Sequence, residues 1–182
     1  RSTLFPYTTL FRSRTGLTVV RGDLHDKQLM AQTTEGQDAV MSALGASSMF
    51  TYDHAVVAGI QNILDAMEAK SVSRFIYLSF AGVSESRHQA GLVIRYVAPR
   101  LLSTEVARHE DSEKQITRSN LEWTIVRAST LSNGKPRGYF RAGEHIFTRG
   151  VVTIVPRGDV ADFMIHQLTD RSFIRQKPLI LQ

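Results

Sequence analysis

The chain has 182 residues, of which 42% are hydrophobic and 21% are charged, a composition typical of one globular domain with a full core. It contains no cysteine, which excludes a disulfide framework, a thiolate metal site and cysteine catalysis, and which suits a reducing cytoplasm. Of its net charge of +5, two units come from Arg1 and Arg12, and the other basic residues are scattered, so the charge favours neither a membrane nor a nucleic acid as partner.

Short β-rich runs alternate with helical stretches beyond Arg14. In chain order, we predict a strand at 18–20, a helix from Asp26 to about Thr34, a strand at 38–44 and a helix at 52–70. A strand at 74–79, a helix at about 104–119 and a strand at 123–127 are expected to follow. The rest of the chain is predicted as a long loop at 132–150, β structure at 151–155, a helix capped by Asp159 and a strand at 178–181. In the last helix we expect Asp162 to form a structural hydrogen bond, and the inward side chains to be Val160, Phe163, Met164 and Leu168.

Strands separated by helices of this length indicate βαβ units and a parallel sheet that is covered on both faces. Such sheets bind ligands beyond the carboxyl ends of their strands. The residues to consider for a binding site are therefore those at the predicted strand ends: Asp23, Gly45, Ser79 and residues 128–131. The spacing of the histidines and carboxylates matches no metal site, and we expect none.

Five motifs occur in a fixed order: VVRGDLHD, GQDAVMSALGA, GIQNILDAMEAKSVSRFIYLSFAGV, SEKQITRSNLEWTIVRASTL and RGDVADFMIHQL. As an ordered set they resemble the atypical short-chain dehydrogenase/reductase family, and most closely its NmrA-like and flavin reductase (biliverdin-IXβ reductase-like) branch. The resemblance covers nearly everything from residue 15 to residue 181. It implies a single NAD(P)-binding domain over residues 14–182, with a Rossmann-like, doubly wound parallel sheet.

The opening segment departs from this family. Members begin with a strand and a G-x-x-G-x-x-G turn whose N–H groups hold the cofactor pyrophosphate, and no such unit precedes residue 18. STLFPYTTLFRS resembles a translated sequencing adapter, so we interpret residues 1–13 as an artefactual leader, with a divergent N-terminus as the alternative. Its TTLFRS stretch also resembles a family second strand. Because the first strand and the glycine-rich turn are missing, we expect the chain as written to be unstable and inactive.

The resemblance implies a cofactor site along the strand ends. Asp23 and Leu24 would lie against the adenine, with capping of the following turn as the alternative for Asp23. The ribose and pyrophosphate would pass close to Ala43, Leu44 and Gly45, where an ordinary turn glycine is the alternative for Gly45. The nicotinamide would lie beside Ser79 and beside the loop formed by Ala128, Ser129, Thr130 and Leu131. The implied cofactor is NADP or NAD, with NADPH favoured.

Catalytic and substrate residues are implied at the same edge of the sheet. Ser79 matches a family hydroxyl, but Phe80 replaces the second one; it would stack on a flat substrate or simply fill core volume. His109 would orient the substrate or relay a proton, with a solvated helix histidine as the alternative. No Tyr-x-x-x-Lys occurs, which argues against ordinary carbonyl–alcohol chemistry.

These features predict an oxidoreductase that transfers a hydride from NAD(P)H to a flavin such as FMN or FAD, a quinone or a similar conjugated acceptor. The alternative is a non-catalytic, NAD(P)-sensing regulator of the NmrA-like kind. A nucleic-acid-binding domain is the third reading of the basic charge.

Overall fold

The structure is a computed structural model that describes residues 16–45, 48, 50–148 and 150–182. The leader at 1–13 lies outside the described residues. The helices are α1 (Lys27–Thr34), α2 (His54–Ala69), α3 (Ala98–Leu101), α4 (Ser103–Arg118) and α5 (Arg157–His166), with a 3₁₀ turn at Ser84–His88 and a π-helical turn at Val93–Val97. The strands are β1 (Ala39–Ser42), β2 (Arg74–Phe80), β3 (Glu122–Ala128), β4 (Thr130–Ser132), β5 (Arg141–Gly143), β6 (Ile154–Pro156) and β7 (Leu179–Leu181).

The central sheet has the strand order β1-β2-β3-β7-β5. Its first four strands are parallel, and β5 pairs with β7 in the antiparallel sense. A second, smaller parallel pair joins β4 to β6. This mainly parallel sheet confirms the predicted α/β class and the Rossmann-like fold.

Both faces of the sheet are covered, because successive side chains of a strand point to opposite faces. On one face, Phe75 and Tyr77 of β2 pack with Ile60 of α2 and Ile116 of α4. On the other face, Ile76 belongs to a separate cluster with α5, whose contributing side chains are Val160, Phe163 and Met164. The doubly wound arrangement therefore follows from the uninterrupted apolar run of β2.

The start of α1 agrees with the predicted cap, and an aspartate also caps α2. The side chain of Asp26 accepts a hydrogen bond from the Leu29 N–H at 2.9 Å, and α1 begins at the next residue. Asp53 caps α2 in the same way, accepting from Ala55 N–H at 3.1 Å. A carboxylate at this position satisfies N–H groups that have no partner within the helix.

The strand predicted at residues 18–20 is wrong. These residues form no strand, and Leu17, Val19 and Val20 are each about half exposed. Within the described residues, β1 has a paired strand only on its β2 side. A run of three residues has no hydrogen bonds of its own to hold it extended, so without a pairing strand it remains irregular.

Four predictions in the C-terminal third are also corrected. The loop predicted at 132–150 contains β5, which pairs with the final strand.

In the last helix, Asp159 lies inside α5 rather than at its N-cap. Its buried carboxylate accepts from the backbone N–H groups of Arg137 and Gly138 and from Gln182 Nε2. The structural hydrogen bonds therefore come from Asp159, whereas the Asp162 side chain is exposed. Leu168, predicted to face inward, is 43% exposed because α5 ends at His166.

Candidate functional site

A cleft of about 1070 Å³ lies at the carboxyl ends of β1, β2 and β3. It brings together most of the residues that the sequence singles out, although they come from segments far apart in the chain. The residues expected to contact the cofactor that line it are Ala43, Leu44, Gly45, Ser79, Ala128, Ser129, Thr130 and Leu131. Phe80 and His109, which are expected to contact the substrate, line it as well. The rule that parallel strands place ligand sites at their carboxyl ends therefore locates this cleft correctly.

Asp23 and Leu24 do not line the cleft. The Asp23 carboxylate accepts from the His25 N–H at 2.9 Å, which is the turn-capping arrangement given as its alternative. Leu24 packs against Gly59 of α2, and its carbonyl oxygen accepts from Asn62 Nδ2 at 2.8 Å. Asp23 therefore closes the turn before α1, and Leu24 holds that turn against α2.

Gly45 fits a position where a ligand approaches the backbone. It lines the cleft, and a Cβ added to it would have no described protein atom within 4 Å. Its φ is not in the left-handed region, so the local turn does not require glycine. The free space beside its Cα is therefore left to the cleft, as a dinucleotide lying across the strand ends would need.

Two apolar walls enclose the rest of the cleft. One wall is the helical stretch that runs from the π-helical turn to the start of α4. Its lining residues are Val93, Ile94, Val97, Ala98, Leu101 and Leu102. The other is α5, through Val160, Ala161 and Met164. Sites with mainly apolar walls and a few polar groups are typical of organic ligands and cofactors.

The polar groups of the cleft come mainly from one face of α4. Glu105, Arg108 and His109 are three and four residues apart, so they lie on the same side of the helix. Both Glu105 oxygens accept from Arg108, from its Nη2 and, at 3.1 Å, from its Nε. The remaining Arg108 nitrogen, Nη1, has no hydrogen-bond partner within the described part of the chain.

His109 is buried, with only 7% of its surface exposed, which excludes the solvated-histidine alternative. Its Nε2 lies 2.9 Å from Arg108 Nη2, and its Nδ1 lies 3.1 Å from the Tyr77 hydroxyl and 3.5 Å from the Ser79 hydroxyl. Burial lowers the pKa of His109, and the neighbouring Arg108 charge lowers it further, against the raising effect of Glu105. The imidazole is therefore neutral near pH 7.

The two ring nitrogens of His109 have different neighbours. Nε2 lies between the Arg108 guanidinium, which can only donate, and Glu105 Oε1 at 3.2 Å, which can only accept. Nδ1 faces the Tyr77 hydroxyl, which can do either, so the neighbours fit both tautomers of the neutral ring.

Glu105 is ionised. Burial alone would raise its pKa, but hydrogen bonds from His109 and Arg108 lower the pKa to about 2. The cleft therefore contains an ionised carboxylate held against a guanidinium.

Ser79 is tied to a second buried ionic cluster behind the cleft. Its hydroxyl donates to Glu113 Oε1 at 2.7 Å. Glu113 also accepts from Arg127 at 2.7 and 3.0 Å, and Lys177 Nζ lies 3.3 Å from it. Ser79, Glu113 and Arg127 are all less than 5% exposed. The hydroxyl proton of Ser79 is thus directed at Glu113.

Phe80 both lines the cleft and packs into the protein. Its ring centroid lies 6.5 Å from that of His109. It also packs against a buried cluster that includes Ala81, Ile94 and Ala98, and it would clash with a Cβ at Gly82. The packing of Phe80 agrees with the core-filling reading, and its stacking on a flat substrate stays a prediction.

Sequence reasoning missed several lining residues. Glu105 precedes His109 by about one helical turn, and Arg108 precedes it by one residue. This spacing could have indicated that the three side chains lie on the same side of the helix. The apolar walls carried no such signal, because an inward apolar residue looks the same in the sequence whether it faces a core or a cleft.

Among the described residues, no group of three or more His, Asp or Glu side chains is placed to hold a metal ion. No described helix combines the length and apolarity needed to cross a membrane.

A family model described as NAD(P)H-binding matches residues 8–171 of the chain. The match includes residues 8–13, which contain the TTLFRS stretch, so the foreign origin of the leader stays a prediction.

Solved structures share the fold. The oxidoreductase ylbE from Lactococcus lactis is 20% identical with a TM-score of 0.72, over 92% of this chain and 73% of ylbE. A wide-type short-chain dehydrogenase/reductase from Veillonella parvula, solved in complex with NADP, is 22% identical with a TM-score of 0.71, over 91% and 72% of the two chains. ChuY from Escherichia coli O157:H7, described as an anaerobilin reductase, is 18% identical with a TM-score of 0.64, over 87% and 72%.

Proposed function

The chain belongs to the NAD(P)H-binding family, and we propose that it is a reductase that transfers a hydride from NAD(P)H to a flavin, a quinone or a similar conjugated acceptor. The observation that carries this proposal is the large cleft at the strand ends, in which the expected cofactor residues face an apolar compartment. The likeness to reductases supports it, as does the neighbour solved with NADP. NADPH is our preferred donor, and the absence of cysteine suits a cytoplasmic location.

The dinucleotide would bind across the carboxyl ends of β1, β2 and β3. Ala43, Leu44 and Gly45 offer backbone and free space for its ribose and phosphates, and Ala128 to Leu131 offer backbone for its nicotinamide. When bound, the reduced nicotinamide supplies the hydride. The protein contributes mainly by orientation, because holding two rings face to face replaces a bimolecular encounter.

The acceptor would lie between the two apolar walls, with Phe80 and His109 at its inner end. Apolar walls exclude water and suit a flat, conjugated ring system. Delocalisation of charge over such a ring lowers the demand for a side-chain acid, which fits the absence of Tyr-x-x-x-Lys. The neutral His109 would orient the acceptor, while Ser79 would position His109 rather than donate to the acceptor.

The non-catalytic regulator remains the second candidate because of the Ser79 contact. The hydroxyl that the resemblance assigns to catalysis donates to Glu113 instead. A protein that only senses the dinucleotide would need the cleft but not a free hydroxyl.

The test follows NAD(P)H oxidation with FMN or menadione as the acceptor. It uses the 182-residue chain and a second form in which a glycine-rich βαβ unit replaces residues 1–13. We expect turnover in the second form, and we expect Ala161→Trp to lower it at least tenfold by filling the cleft. Ile165→Trp is the matched control, since Ile165 is exposed on the same helix and does not line the cleft.

Tight dinucleotide binding without any oxidation of NAD(P)H would favour the regulator and end the reductase proposal. Turnover that is unaffected by Ala161→Trp would place the reaction outside this cleft.

A further inference from the structure

Glu105 is the only carboxylate among the described residues that line the cleft. It lies where the apolar wall at Leu101 and Leu102 meets the polar face of α4. A carboxylate at the edge of an apolar compartment discriminates between ligands, because a ligand without a donor removes water from an acceptor position and leaves that position without a hydrogen bond.

Within the described part of the chain, the hydrogen bonds of Glu105 leave one acceptor position open. An ionised carboxylate has about four lone-pair positions. Oε1 accepts from Arg108 Nη2 and also lies 3.2 Å from His109 Nε2, whereas Oε2 accepts from Arg108 Nε and from no other described residue. The Glu105 side chain is 17% exposed, so a ligand in the cleft can reach it.

The position of the carboxylate is held firmly. Arg108 binds both of its oxygens, and Arg108 itself is 1% exposed. Glu105 therefore offers a fixed acceptor that does not have to be ordered when a ligand binds, which favours binding.

The Glu105 carboxylate distinguishes between the classes of hydride acceptor that the proposed function names. A quinone presents only carbonyl oxygens on its ring, and an oxygen placed against a carboxylate gains no hydrogen bond. A heterocycle with a ring N–H donates to the carboxylate, and such charge-assisted hydrogen bonds are among the strong ones.

We propose that Glu105 is a specificity residue that accepts a hydrogen bond from a ring N–H, so that the cleft binds N–H-bearing conjugated heterocycles in preference to quinones. This inference rests on the proposed function, which identifies the cleft as the acceptor site. It concerns binding, and it is tested without the dinucleotide.

The test compares lumiflavin with 3-methyl-lumiflavin, which differ by the single N–H at ring position 3. Their dissociation constants for the full 182-residue chain are measured by flavin fluorescence. We expect lumiflavin to bind about tenfold more tightly, a ratio that one charge-assisted hydrogen bond supplies. Menadione, which has no N–H, is expected to bind no more tightly than the methylated flavin.

Two variants separate the hydrogen bond from the bulk of the methyl group. In Glu105→Met the acceptor is lost and the ratio should fall below about twofold. Glu105→Gln keeps the size of the side chain and removes its charge, so it should give an intermediate ratio. Glu35→Gln is the matched control: Glu35 forms an exposed ion pair with Lys70 at 3.2 Å, and its loss should leave the ratio unchanged.

Equal binding of the two flavins by the unmodified chain would overturn the inference, whether or not the variants fold. A ratio that survives in Glu105→Met would also overturn it, since the methyl group would then act by its size. Discrimination without any hydride transfer would contradict the proposed function but leave this inference standing. Hydride transfer to both flavins, together with equal affinities for them, would support the proposed function and contradict this inference.

Discussion

The Ser79 hydroxyl shows how one contact changes the role of a residue. Its only proton is donated to Glu113, and three basic nitrogens of Arg127 and Lys177 surround the same carboxylate. What remains for other partners is the lone pairs of Oγ, and His109 Nδ1 lies 3.5 Å from Oγ. Ser79 is therefore suited to positioning its neighbours rather than to donating a proton to a ligand.

The burial of His109 predicts a pH dependence of stability. Its pKa in the folded chain is below 6.5, so the unfolded chain binds the proton more readily. The stability due to the neutral imidazole is therefore complete above about pH 6.5 and is lost as the pH falls toward the folded pKa. Glu105 acts in the same direction at lower pH, because its pKa falls from 4.5 to about 2. The groups that face His109 are Glu105, Arg108, Tyr77, Ser79 and Glu113.

We expect the free energy of unfolding by urea to decline between pH 6.5 and pH 4.5, and His109→Gln to flatten this part of the curve. His166→Gln is the control, since the His166 side chain is 68% exposed. An unchanged slope in His109→Gln would mean that this histidine is protonated equally in both states.

At the scale of elements, α4 supplies the polar side of the cleft and joins it to the core. Glu105, His109 and Glu113 recur every four residues, so one helical face meets the cleft at its first turn and the ionic cluster behind it two turns later. Ile116 continues this face into the apolar cluster beneath the sheet. A shift of α4 would therefore move the cleft and the core together.

The Asp159 carboxylate fastens the 133–140 loop and the C-terminus to α5. Asp159→Ala removes the acceptor of two backbone N–H groups and of Gln182 Nε2. Because each orphaned buried donor costs about 1–3 kcal/mol, we expect the free energy of unfolding to fall by about 2–4 kcal/mol in urea titrations. The exposed Asp162 on the same helix is the matched control, and Asp162→Ala should change it by less than about 0.5 kcal/mol. Equal effects of the two variants would contradict the anchoring role.

At the scale of the whole molecule, the two faces of the sheet bury separate apolar clusters. Among the described residues, β1 has no partner strand on its outer side, and Leu17, Val19 and Val20 are about half exposed. Unpaired strand edges and exposed apolar residues both favour aggregation. Our expectation that the chain is unstable as written is in line with these exposures and stays a prediction.

Ligand binding should stabilise the whole domain, because the cleft draws its walls from β2, β3, α4, α5 and the segment that follows β1. At a free NADPH concentration one hundred times the dissociation constant, we expect the free energy of unfolding to rise by about 2.7 kcal/mol. Thermal unfolding followed by circular dichroism measures this shift, and Gly45→Trp should abolish it, because Gly45 lies where the ribose and phosphates are expected. A shift that persists in Gly45→Trp would mean that the dinucleotide binds elsewhere.

The amino-acid sequence by itself determined the elements and the edge of the sheet at which the site lies. Apolar periodicity predicted the bounds of α2, β2 and β3 to within two residues, since buried apolar side chains recur along each of these elements. Motif order indicated the family, and strand ends indicated Gly45, Ser79 and residues 128–131 as cleft residues.

Tertiary structure alone decided which side chains meet. The bond from Ser79 to Glu113 spans 34 positions, and the burial of His109 depends on Tyr77 and on the packing of α4 against β2. Local pattern carries no information on such contacts, because they arise only when distant segments pack. For the same reason a run such as 18–20, with suitable residues but no pairing strand, does not become a strand.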